Sequence, residues 1–109
     1  MSITPEPHYN QRVSTRFEWD DQKDRANQRK HGISFARATQ VFDDPRVVFL
    51  ADLVVDGEER WQAIGLMEGM HLVLVVHTTR ENGLDELIRI ISARKAMKDE
   101  GRIHEEHNG

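Results

Sequence analysis

Cysteine does not occur in this 109-residue chain, which excludes disulfides and thiolate metal sites and fits a reducing cytosol. Long apolar runs are missing too. The longest, Leu72 to Val76, is far short of the roughly 20 residues that cross a bilayer. The N-terminus lacks the basic-then-apolar layout of a secretory leader, so no membrane partner and a cytoplasmic location are expected. No glycine-rich phosphate loop, nucleophile elbow or carboxylate pair set for acid/base catalysis is found, and the aspartates of 43–59 read mostly as turn formers. An excess of positive charge is also lacking. The net charge of −4 counts against a free-standing nucleic-acid binder, which is usually basic.

What is present describes a small globular protein. The 38% apolar and 31% charged content suits one packed domain rather than a disordered chain. Charge is unevenly spread. Residues 43–59 hold six carboxylates against Arg46, whereas residues 77–98 hold five Lys or Arg against three carboxylates. A basic face on an acidic protein is therefore allowed. Residues 1–15, with two prolines and no apolar periodicity, are expected to form a flexible tail. A single domain is expected over 16–109.

The coarse order of elements follows from turn chemistry and periodicity. An aromatic strand at Phe17–Asp20 leads to a nearly all-polar helix over 21–31, capped by Asp20 or Asp21 and ended by Gly32. Ser34 caps a second helix, with Phe35, Ala38, Val41 and Phe42 at helical spacing, which Asp44-Pro45 stops. Four extended runs follow, Val47–Asp52, Arg60–Leu66, Leu72–Thr79 and Leu87–Ala93, joined by turns at Asp56-Gly57, Glu68-Gly69 and Asn82-Gly83. A last helix is expected over about 94–107. The reading is an α+β fold: a four-stranded antiparallel meander, two N-terminal helices, one C-terminal helix, and an N-terminal strand whose place in the sheet is left open.

Two groups of residues could carry chemistry. On the first helix Lys23, Asn27, Lys30 and His31 fall along one stripe. The plainer reading is a solvated face; the sharper one is an anion site, because the stripe contains no Glu partner. The second group is Arg60, His77, Arg80, Arg89 and Arg94, each on or just past a meander strand. His77 shares a face with Val73 and Val75, where a histidine is ordinarily a core residue. Arg89, between Ile88 and Ile90, must face solvent or meet a carboxylate or phosphate. Gathered together, such arginines would stabilise the transition state of phosphodiester cleavage, and a histidine or lysine would move protons. Strand alternation puts Arg89 and Arg94 on opposite faces unless the strand has ended by Arg94. Glu100 and His104, four apart, could pair as acid and base, or simply as exposed neighbours. His104 and His107 could join a metal site only with a third ligand.

These residues resemble a known family. Phe17-Glu18-Trp19-Asp20, Lys23, Asn27, Lys30-His31-Gly32, Ser34-Phe35, Val41-Phe42-Asp43-Asp44-Pro45, Gly57-Glu58-Glu59-Arg60-Trp61, Ile64-Gly65, Val75-Val76-His77-Thr78 and the run Arg89 to Ala96 together are similar to BrnT toxins, over roughly 17–104. The resemblance implies a RelE-like fold and a metal-independent ribonuclease toxin of a type II toxin–antitoxin system, needing no cofactor. It further implies that a BrnA-like antitoxin neutralises the toxin and brings it to operator DNA, as a hetero-oligomer. Carried over by position, the active-surface residues are Lys30, His31, Arg60, His77, Arg80, Arg89 and Arg94. Three departures stand out: His77 where the family often has Tyr, Arg37 where an acidic residue is common, and an acidic rather than basic last helix. The altered helix motivates a second reading, a non-catalytic antitoxin-binding module acting as corepressor. A third, a small metal-binding protein built on the histidines, is the weakest, and no stoichiometric metal is expected.

Overall fold

Short turns hold the middle of the chain in a meander. Asp56 and Gly57 have φ of 53° and 79°, and Glu68 and Gly69 of 57° and 71°. This left-handed backbone matches strand twist in tight hairpins and explains the glycine in each pair. The computed structural model describes residues 14–108, the Asn82 side chain excepted. In chain order the elements are β1 (Thr15–Glu18), α1 (Asp21–His31), α2 (Phe35–Ala38) running into a 3₁₀ turn (Thr39–Asp43), β2 (Val48–Val55), β3 (Glu58–Met67), β4 (His71–Asn82), β5 (Asp85–Lys95) and α3 (Lys98–Asn108). The tail expected over 1–15 lies outside the described residues as far as 13, and Thr15 is already in β1.

The sheet differs from a four-stranded meander. Its order is β1-β5-β4-β3-β2, five strands in all. β2 to β5 are the expected antiparallel meander, but β1 joins the β5 edge in parallel, Phe17 beside Ile88 and Glu18 beside Arg89. The sheet is therefore mixed. A four-residue strand carries no sign of its partner in its own sequence, so only tertiary packing decides this. The last helix also starts later than expected, because Ala93 to Lys95 still pair with Val75 to Val73 on β4. The second helix is one α-turn followed by a 3₁₀ turn rather than one continuous helix.

Register fixes two faces. Val73, Val75 and His77 of β4 point to the side of α1 and α2, together with Ala63 and Trp61 of β3 and Ala93 and Ile90 of β5. Here lies the main core, where Phe35, Ala38, Val41, Ala63, Val73, Val75 and Ala93 are wholly buried. Each large side chain contributes roughly 1.5–3 kcal/mol by leaving water. The opposite face buries Ile64, Leu74 and Val48, and α3 lies across it at the Leu72 end, where a Cβ on Gly101 would stand 3.5 Å from Leu72. The other end of this face carries Arg80 and is called the open face below.

Side chains finish the sheet where neighbouring strands run out. β1 pairs with β5 only as far as Arg89. Beyond it the Asn27 amide takes the strand's place: Oδ1 accepts from Ala93 N–H at 3.1 Å, and Nδ2 donates to the Ala93 and Ile33 carbonyls at 2.8 and 2.9 Å. Asn27 is the buried residue of α1, so a helix with almost no apolar face docks through one amide. On the other edge β2 begins at Val48, paired with Ile64. There the Asp44 carboxylate accepts from Leu66 N–H and Arg46 N–H, each at 2.9 Å. Close approach of this segment explains Gly65, where a Cβ would stand 2.9 Å from the Val41 carbonyl oxygen.

Replacing Asn27 by Ala strands two carbonyls and an amide in a buried place. The expected cost is about 2–4 kcal/mol, read as a melting temperature lowered by at least about 10 °C in thermal denaturation.

Candidate functional site

The four arginines anticipated on the meander share one side of the sheet, Arg60, Arg80 and Arg89 on the open face and Arg94 beside α3. Arg80 pairs with Leu87, Arg89 with Thr78 and Arg94 with Leu74, and Arg60 precedes Trp61, which pairs with His77 on the other side. Simple alternation would separate Arg89 from Arg94. They coincide because β5 carries one extra residue, Ile91, where Val76 meets Ser92 but His77 meets Ile90. Such a bulge reverses the facing of everything beyond it.

Each guanidinium has its own surroundings. Arg80 is exposed and lies 3.8 Å from Glu18, a loose pair in water. Arg89, half-buried, bonds to Glu58 through Nη2. This is the carboxylate partner that its position between Ile88 and Ile90 demanded. Arg94 makes a two-pronged pair with Glu100, 2.8 Å at each prong, and Glu100 also accepts from Met97 N–H at 2.7 Å. That pair clasps β5 to the start of α3. The Arg94 hydrogen bond holds the Glu100 carboxyl below its usual range, outweighing the upward push of burial. Arg60 is different: its Nε is buried and finds no hydrogen-bond partner among the described residues.

His77 stands on the other side of the sheet. It is 2% exposed, and burial lowers its pKa against a weak opposing contact from Nδ1 to the Val75 carbonyl at 3.4 Å. The ring is therefore neutral at pH 7. It packs in the core, meeting Phe42 edge-on at 4.9 Å and Phe49 at 6.0 Å. With these rings, Trp61, Thr79 and Ile88 it lines a cleft of about 400 Å³.

Lys30 and His31 do not join the arginines. Lys30 is exposed at the end of α1, and His31 lines a small cleft with His71 and Lys95, on the helix-covered side and at the opposite end of β4 from Arg80. The α1 stripe is broken up, since Asn27 turns inward. Glu100 and His104 do not pair with each other either: His104 Nε2 lies 3.2 Å from Asp44 Oδ2, tying α3 to the start of β2. His107 turns to the Ile103 carbonyl, and among the described residues no three His, Asp or Glu side chains form a metal-holding group. Arg37, the departure from an acidic residue, forks onto Glu68 at 2.8 and 3.0 Å. Ser34 Oγ caps α2 by accepting from Arg37 N–H at 3.2 Å, and Asp24 accepts from Phe35 N–H at 2.9 Å. The sequence reading passed over Glu58 and Glu18, although each lies an even number of residues from an arginine or beside one in register. There Asp44 reads only as part of the Asp44-Pro45 helix stop and as one of the turn-forming aspartates.

Comparison with known proteins follows the same lines. A family model described as "Ribonuclease toxin, BrnT, of type II toxin-antitoxin system" matches residues 19–100. A crystal structure of the Brucella abortus ribonuclease toxin BrnT is similar in fold, with 24% sequence identity, a TM-score of 0.54, and coverage of 79% of this chain and all of that one. None of the curated proteins matches.

Acid should act through Asp44. Burial raises its pKa, but hydrogen bonds from Arg46, Leu66 and His104 outweigh this, and the net shift is downward from 3.8. The unfolded chain therefore takes up the proton first, and the contribution present above that value is lost as pH falls through the folded pKa. Urea denaturation of Asp44→Asn should show a shallower loss of stability below about pH 4 than the parent.

Proposed function

On the premise that this chain belongs to the BrnT family of ribonuclease toxins of type II toxin–antitoxin systems, we propose that it cleaves RNA by metal-independent acid/base chemistry, arresting translation and growth. A co-encoded BrnA-like antitoxin neutralises it and carries it to operator DNA. One observation supports this reading most: Arg60, Arg80 and Arg89 share the open face, and the Arg60 Nε still lacks a partner among the described residues.

In this reading a phosphodiester lies across those guanidiniums, which offset the charge gathered on its oxygens in the transition state. The 2′-hydroxyl attacks phosphorus, and its proton passes to Glu58, held against Arg89. The 5′-oxygen leaves and takes a proton from solvent, so the products are a 2′,3′-cyclic phosphate and a free 5′-hydroxyl. Arg94 acts as a positioning residue, because both its prongs are engaged by Glu100. His77, Lys30 and His31, on the helix-covered side, contact RNA away from the scissile bond. The corepressor reading draws on a different fact: Arg80, Arg89 and Arg94 each already meet a carboxylate.

Induction without antitoxin should stop growth, and purified protein should cut RNA with EDTA present. Arg60→Ala and Arg89→Ala should each slow cleavage by about 100-fold or more, with the melting temperature nearly unchanged. Normal growth and intact RNA, alongside a DNA-bound complex with antitoxin, would favour the corepressor.

A further inference from the structure

The cleft beside His77 has a chemistry that the arginine face does not share. Its floor is one face of three strands, with Trp61 beside His77 and Thr79 beside Ile88. Phe42, the last apolar side chain of the 3₁₀ turn, forms one wall, and Phe49 of β2 another, their rings 6.2 Å apart and inclined by 32°. Phe49 remains 50% exposed, although it packs against two other rings. Thr15 and Glu86 close the remaining side. At about 400 Å³ the space falls within the roughly 300–1,000 Å³ of small-molecule sites.

Three properties narrow the occupant. First, the rings of Phe42, Phe49 and Trp61 line the space, and planar heterocycles stack on aromatic rings. Second, His77, Thr15, Thr79 and Glu86 stand among the rings, and a ring with donors and acceptors on its edge can meet such groups where a plain aliphatic side chain cannot. Third, none of the described residues lining the cleft is Lys or Arg, so nothing among them holds a phosphate. Aromatic walls, polar groups among them and no cation among the described lining residues together describe a pocket for a base without its backbone.

We propose that this cleft, lined by Phe42, Phe49, Trp61 and His77, binds one unstacked nucleobase of an RNA strand, purines more tightly than pyrimidines. Its role as part of an RNA site rests on the ribonuclease reading, while the binding itself does not. The purine preference follows from the larger ring area available for stacking. The base site and the arginine face lie on opposite sides of the sheet, so one nucleotide cannot occupy both. The base bound here belongs to a nucleotide some way from the cleaved bond and sets sequence preference rather than rate.

The test is titration of the full chain with adenosine, AMP and uridine, followed by calorimetry and by Trp61 fluorescence. Adenosine is expected to saturate below about 1 mM, AMP no more tightly, and uridine severalfold more weakly. Raising salt from 50 to 200 mM should change nothing, unlike a phosphate site. Phe49→Ala, a change at a half-exposed position, should weaken adenosine binding about tenfold and flatten base preference in cleavage. Arg89→Ala should bind adenosine normally and fail to cleave. Saturable, Phe49-dependent adenosine binding by a protein that cuts no RNA would keep the base site and sink the nuclease. Failure of adenosine to saturate, AMP binding much more tightly than adenosine, or an antitoxin peptide occupying the cleft would overturn the base site while leaving the nuclease reading untouched.

Discussion

Ladder completion by side chains holds this small protein together. A mixed sheet of five unequal strands leaves backbone groups uncovered wherever a short strand ends beside a long one, and uncovered groups inside a fold are costly. Asn27 on one edge and Asp44 on the other supply what the missing residues of β1 and β2 would have supplied. The same two side chains anchor the helical layers. Asn27 fixes α1 and the Ile33 loop, and Asp44 fixes the 3₁₀ turn and, through His104, the final helix. Polar contacts here do the docking that apolar stripes do in larger domains.

That economy leaves much of the surface free for function. α1 needs no hydrophobic face, so its cations remain outside, and α3 covers only one end of the sheet. The uncovered end presents arginines on one side and aromatic rings on the other. A nucleic acid offers the matching pair of features, charged phosphates and flat bases, in different parts of the same strand.

Much of this was legible in the chain. The order of elements, the turns at Asp56-Gly57 and Glu68-Gly69, and the inward set Phe35, Ala38 and Val41 follow from local chemistry, and the structure has them all. The family was legible too, from motifs spread over most of the domain. What escaped was non-local. Nothing in Thr15–Glu18 announces a parallel pairing with β5, because a short strand's partner is chosen by what else is packed nearby. Asn27 read as one member of a polar stripe, since an amide that completes a distant strand has the same local spacing as one in water. The arginines stand on the meander strands where the sequence put them, but their facing depends on a bulge that no turn residue marks. The aromatic cleft was invisible because Phe42, Phe49 and Trp61 come from three elements.

The single extra residue in β5 has a consequence for how such chains diverge. Parity along a strand is normally inherited without change, and a deletion near Ile91 would look harmless in a list of lost atoms. It would instead turn half of the strand over, sending Ala93 to the α3 side and Arg94 into the core. Length at this one point therefore matters more to the facing of the strand than which side chain stands there.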